Sequence, residues 1–176
     1  DAPTDTLAVM NLYNGEVEKY PAGEGFQYGK DLKEFVVFRK AQLTKSDKDA
    51  RDLLVLNLRN NSIDTLKRSD SYRFAENGSK LVYTTKPDKK DSLGKKEIHI
   101  YDPYTQEDHI IFSADPKLEF SLPVFNEQAT AVAFYAQPDT AKANKDFRTI
   151  YYAELNGKDT AKVLVDNQMA GVPEGM

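Results

Sequence analysis

The stretch Leu53–Tyr83, LLVLNLRNNSIDTLKRSDSYRFAENGSKLVY, decides the fold. It divides into LLVLNL, a turn at Arg59-Asn60-Asn61-Ser62, IDTL, SYRF, a second turn at Ala75-Glu76-Asn77-Gly78, and KLVY. Runs rich in β-branched, leucine and aromatic residues, separated by Asn, Gly and Ser, read as strands joined by tight turns. The same order recurs along the chain. Upstream it is LAVMNL, YNG, EVEKY, GFQY and EFVVF; downstream it is EIHIYD, PYTQ, EDHII, LPVF, NEQAT and AVAFY, then TIYYAEL, NGKD and TAKVLV. Leu7, Leu53, Ile98 and Ile150 start equivalent strands, 46, 45 and 52 residues apart.

A repeat in the forties made only of strands and turns has the spacing of β-propeller blades, about 40 to 50 residues each. The expected fold is all-β, a partial β-propeller of four-stranded antiparallel blades, roughly three and a half of them. Residues 1–6 read as a polar lead-in, and 7–166 as the propeller. Within it, 7–20 is an outer half-blade, a hairpin about Tyr13-Asn14-Gly15; 24–67, 70–113 and 119–166 are blades; 167–176 lead toward a next blade. Their strands are expected at 24–29, 34–40, 53–58 and 63–67, then 70–74, 80–85, 97–102 and 107–113, then 119–125, 131–137, 148–155 and 160–166.

Several strands do not alternate apolar with polar residues. LLVLNL, EFVVF and AVAFY are apolar on both faces, which is expected where a sheet is covered on both sides. Phe26, Phe38, Phe74, Tyr83, Phe125 and Phe134 then serve as packing between blades. A carbohydrate platform is the alternative role for such rings.

One connection in each blade is long and charged: 41–52 (AQLTKSDKDARD), 86–96 (KPDKKDSLGKK) and 138–147 (PDTAKANKDF). Recurrence at one blade position puts all three on the same rim. Lys45, Asp47, Asp49, Arg51, Lys89, Lys90, Lys142 and Lys145 are the candidate contact residues there, since loops on a rigid scaffold carry binding groups. Solvated connections are the plainer reading of the same charges.

Composition narrows the function. Of 176 residues 40% are hydrophobic, with ten Tyr and nine Phe, enough to build a packed β domain. The net charge of −4 has no basic stripe, against nucleic acid as a partner. The longest apolar run, Ala131–Ala136, is six residues. A membrane-spanning helix needs about 20. With no Cys, thiol nucleophiles, disulfides and zinc-thiolate sites are all excluded.

No G-x-S-x-G pentapeptide is present, nor a glycine-rich phosphate loop. His99 and His109 offer a metal pair or a general base; the strand pattern reads both instead as partly buried strand residues. Asp47-Lys48-Asp49 with Asp52 lacks the glycine and terminal glutamate of a calcium loop. Asn60-Asn61-Ser62 and Asn77-Gly78-Ser79 match the glycosylation triplet but sit on turns that favour those residues anyway. No catalytic residue, metal or cofactor is expected within the chain.

Laid out in this way, LLVLNLRNNSIDTL followed by SYRFAENGSKLVYTT, and EIHIYDPYTQEDHIIF followed by PVFNEQATAVAFYA, resemble the N-terminal propeller of prolyl oligopeptidase and dipeptidyl-peptidase-like serine peptidases. VMNLYNGEVEKYP and AGVPEGM are similar to exported members of Bacteroidetes type. Asn126-Glu127-Gln128-Ala129 departs from the Asp-Gly turn of that pattern. The resemblance implies a non-catalytic segment that gates or orients peptide substrates for a separate α/β-hydrolase domain, in an exported protein. Its partners would be that domain, the remaining blades and peptides. A TolB-like protein-binding propeller with no enzyme attached is the alternative. The unclosed arc of strands further predicts that the isolated segment associates with itself.

Overall fold

A computed structural model describes residues 6–45, 51–87, 94–138, 148–157 and 160–172. Fourteen strands and no α-helix are found among them: β1 (Thr6–Met10), β2 (Val17–Tyr28), β3 (Phe35–Lys40), β4 (Leu53–Asn57), β5 (Ile63–Leu66), β6 (Ser69–Phe74), β7 (Leu81–Thr85), β8 (Lys96–Asp102), β9 (Glu107–Ala114), β10 (Leu118–Phe120), β11 (Val124–Phe125), β12 (Ala131–Pro138), β13 (Thr149–Glu154) and β14 (Lys162–Val165). All pairings are antiparallel between chain neighbours, save that β10 and β11 both pair with β12. The sheets are β1-β2-β3-β4-β5, β6-β7-β8-β9 and β10-β12-β13-β14.

The first two sheets bury both faces because packing partners stand on each side of them. In the first, Phe35, Val37, Leu53, Val55 and Leu66 turn toward the second sheet and meet Phe74, Leu81, Tyr83 and Tyr101. Val82, Ile98, Ile100 and Ile111 of the second sheet turn the other way, onto Val132, Phe134, Ala153 and Leu155 of the third. The opposite face of the first sheet, with Ala22, Val36, Phe38 and Leu56, is covered by Leu7, Val9 and Tyr20 of the β1–β2 hairpin. This stacking accounts for the non-alternating strands.

Polar groups fasten the stack. Arg39 donates from Nη1 to Ser69 O at 2.8 Å and from Nη2 to Asp70 O at 3.0 Å, with its guanidinium over the Tyr72 ring. Lys96, buried on β8, reaches Leu118 O at 3.1 Å and the Glu119 carboxylate, joining the second sheet to the third. At the other end of the first junction Lys30 N donates to Glu76 O at 2.6 Å.

Two strand boundaries differ from the sequence reading. Expected strands 16–20 and 24–29 form one strand, β2, whose first half pairs with β1 and second half with β3. Pro21 is tolerated at the end of the β1 ladder, and the irregularity between Ala22 and Phe26, where Gly25 takes φ +65°, marks the change of partner from β1 to β3. Conversely the expected strand 119–125 splits into β10 and β11 around Pro123, which has no N–H to give a ladder. Phe26 is a further correction. Phe38, Phe74, Tyr83 and Phe134 are buried and Phe125 half-buried, but Phe26 is 54% exposed and stacks on equally exposed Tyr28. Both rings lie beyond the reach of the β1–β2 hairpin.

Candidate functional site: a polar cleft between the first two sheets

The packing between the first two sheets is apolar at Leu81 and becomes polar two residues along the strand. Tyr83 pairs with His99 across β7–β8, and Asp108 pairs with Tyr101 across β8–β9. Residues that alternate along a strand share a face, so Tyr83, Glu97, His99, Tyr101 and Asp108 all turn toward the first sheet. The regular register from Asp102 opposite Glu107 to His99 opposite Ile110 leaves Asp108 diagonal to the imidazole. The rings of Tyr83 and His99 stack at 4.6 Å between centroids, with planes 21° apart.

Hydrogen bonds fix the direction of each group. Tyr83 Oη donates to Asp108 Oδ2 at 2.6 Å. His99 Nδ1 lies 3.2 Å from the same Oη and 3.3 Å from Asp108 Oδ1. With the phenolic hydrogen committed to the carboxylate, both neighbours of Nδ1 are acceptors, so Nδ1 carries the ring hydrogen. Nε2 is turned to the Glu97 carboxylate at 3.4 Å, inside ion-pair range but without hydrogen-bond geometry. Burial, then the bond to Asp108, pushes the Tyr83 phenol well above its ordinary range. Burial also raises the Asp108 carboxyl, but the hydrogen bonds from His99 and Tyr83 outweigh it and hold the group below its ordinary value.

Above this cluster opens a cleft of about 450 Å³. Thr65, Leu66, Lys67 and Arg68 of the first sheet's edge form one wall; Thr85, Lys86, Pro87, Gly94 and Lys95 form the other. Asp52, almost wholly buried, shapes the first wall: Oδ2 holds Lys67 Nζ at 2.7 Å and Oδ1 accepts from Arg68 N at 3.1 Å. Arg68 sits at φ +60°, a left-handed backbone costly for any residue but glycine. Its Nη2 donates to Lys86 O at 3.0 Å, and Lys86 Nζ pairs with Asp70 at 2.8 Å.

Sequence reading placed candidate contacts elsewhere. Lys45 and Arg51 are exposed beside the β3–β4 connection. Asp47, Asp49, Lys89, Lys90, Lys142 and Lys145 lie outside the described residues. The three long connections lie between β3 and β4, between β7 and β8, and between β12 and β13. His99 and His109 project from opposite faces of the second sheet, because His99 pairs with Ile110 and His109 with Ile100. They cannot share a metal. Among the described residues no group of three or more His, Asp or Glu is arranged to hold one. No helix among them is long and apolar enough to cross a membrane.

Missed altogether were Glu97, Asp108 and Arg68. The one signal was an arginine in Lys67-Arg68, a two-residue step between strands where glycine or asparagine would be ordinary.

Three stacked antiparallel sheets, each presenting one flank to the next, define a partial, unclosed β-propeller. No family model and no curated protein sequence matches the chain. Among solved structures it is similar to the tricorn protease (TM-score 0.55, 16% identity), over 85% of this chain and 16% of that one. It is similar also to the β-propeller domain of the Trilobed protease from Pyrococcus furiosus (TM-score 0.54, 16% identity, 80% of this chain and 41% of that one). Prolyl endopeptidase matches at TM-score 0.54 and 12% identity, over 81% of this chain and 21% of the other. The chain thus spans less than half the length of each of these structures. An oligogalacturonate lyase shares the fold at TM-score 0.51 and 16% identity, over 95% of this chain and 44% of that one. At such identities the likeness establishes the propeller fold, which hosts many activities.

Proposed function

We propose that the chain is a non-catalytic propeller segment of a serine peptidase, gating or orienting peptide substrates for a separate α/β-hydrolase domain of an exported protein. The observation that carries this reading is the likeness over 80–85% of the chain to propellers of the tricorn and Trilobed proteases, together with the strand-and-turn phrases of the sequence. A propeller beside a hydrolase acts by size and contact: a rigid stack of sheets restricts entry, while loops at its rim touch the entering peptide. In this reading 7–20 is the outer half of a blade, followed by blades over 24–67, 70–113 and 119–166, and 167–176 lead toward further strands.

The coding sequence around the 176 residues tests the reading. A downstream G-x-S-x-G elbow followed by Asp and His supports it, and a full-length protein without one overturns it. A second arm uses fluorogenic prolyl and aminoacyl peptides. The purified segment leaves them intact, the full-length protein cleaves them, and cleavage by the segment alone refutes the non-catalytic assignment.

A further inference from the structure

The cleft between the first two sheets gathers three departures from ordinary packing in one place. Arg68 holds a left-handed backbone that glycine would hold without strain. His99 Nε2 is buried without a hydrogen bond, against a Glu97 carboxylate that is itself partly open to the cleft. Asp52, a buried carboxylate, is used to set the Lys67-Arg68 step. Folded chains concentrate strain and unsatisfied polar groups where a site has to be kept. The charges are also sorted. Arg68 and Lys95 lie on the walls, Lys95 without an ion-pair partner among the described residues, and Glu97 lies on the floor.

We propose that this cleft binds a small amino- or hydroxycarboxylate. The ligand's carboxylate is taken by Arg68 and Lys95, and its ammonium or hydroxyl donates to Glu97. Guanidinium recognises a carboxylate through paired N–H donors, stronger than neutral hydrogen bonds. His99, held by Asp108 and Tyr83 at Nδ1, stands beside Glu97 with Nε2 3.4 Å from its carboxylate, while Ser113 Oγ donates to Glu97 Oε1 at 3.4 Å. A cleft of about 450 Å³ suits ligands from a single amino acid to a short peptide. The assignment stands apart from the peptidase reading, since a propeller of any family could carry it.

The test follows the imidazole and backbone amide signals of the purified chain by NMR, on titration with glycylglycine, lactate and propionate. Glycylglycine or lactate is expected to shift the Glu97 and His99 signals with a roughly millimolar dissociation constant. Propionate, lacking the donor, binds at least about tenfold more weakly, the worth of one charge-assisted hydrogen bond. Which of the first two binds tighter assigns the donor as ammonium or hydroxyl. Arg68→Gly suits the backbone at that position, so the fold is retained while affinity falls about tenfold or more. Glu97→Gln is the second variant: it abolishes the preference for donor-bearing probes over propionate. Absence of any shift up to about 50 mM probe, far above a millimolar constant, overturns the proposal. So does unchanged affinity in both variants.

Discussion

Tyr101 of the second sheet donates its phenolic hydrogen to Asp64 Oδ2 of the first at 2.6 Å, and Gln106 Nε2 donates to the same carboxylate at 3.2 Å. Burial, followed by the bond to Asp64, raises the Tyr101 phenol far above its ordinary range, so the hydroxyl remains a donor at any ordinary pH. Tyr101→Phe keeps the ring in its apolar surroundings and removes only the donor. A hydrogen bond to a charged group is worth about 1.5–3 kcal/mol. The variant is expected to lose that much in urea unfolding with an unchanged slope; a loss below about 0.5 kcal/mol, the scale of neutral surface changes, would deny the bond its fastening role.

Asp108 and Tyr83 make stability depend on pH in opposite directions. The folded carboxyl of Asp108 lies below its ordinary value of 3.8, so its contribution is present above that value and is lost as pH falls through the lowered one. The phenol of Tyr83 lies above its ordinary 10.0, so its contribution is present below pH 10 and lost as pH rises toward the raised value. Asp108→Asn is expected to flatten the acid limb of the stability profile, and Tyr83→Phe the alkaline limb. Denaturation midpoints across the pH range read both, and profiles parallel to wild type would refute the pairing.

Gly78 brings the β6–β7 turn against the loop between β2 and β3. Its φ is +77°, and a side-chain carbon there would stand 2.4 Å from Leu32 O. Gly78→Ala is expected to cost about 1–2 kcal/mol from the left-handed backbone alone, with the clash in addition. Thermal unfolding measures it. Gly157→Ala, with open space about it, is the comparison and should lie within about 0.5 kcal/mol of wild type.

If the open arc associates with itself, Phe26 and Tyr28 are the residues expected to make the contact. Tyr72 and Phe74 in the second sheet, and Phe120 and Phe125 in the third, occupy the matching inner-strand positions and pack against the preceding sheet. The first pair stays about half exposed. Light scattering of the isolated chain is expected to show mass growing with concentration, and Phe26→Ser with Tyr28→Ser to suppress it. A wild-type monomer at high concentration would be the contrary result.

Stacking was legible because LLVLNL and EFVVF carry apolar residues on both faces, which a half-solvated sheet would not allow. Burial of one ring was not. Phe26 and Phe38 face each other in the β2–β3 ladder, yet only Phe38 is covered, since the hairpin reaches one and not the other. Turn chemistry was legible by function more than by letter. Asn126-Glu127-Gln128-Ala129 closes the same turn as Ala75-Glu76-Asn77-Gly78: Ala129 takes φ +53° where Gly78 takes +77°, and Asn126 Oδ1 accepts from Thr130 N and Ala131 N. The cleft escaped the sequence for a geometric reason. Tyr83, His99 and Asp108 are dispersed over 26 positions, and only the cross-strand pairing of β7, β8 and β9 brings them together.

The unbroken run of β2 from Val17 to Tyr28 gives one strand to two ladders. A rip that starts at β1 therefore runs on, through the irregular Ala22–Phe26 segment, into the backbone that pairs with Phe38 and Val36. Hairpin and first sheet must melt as one cooperative block, and amide protons in both should exchange with a common opening energy.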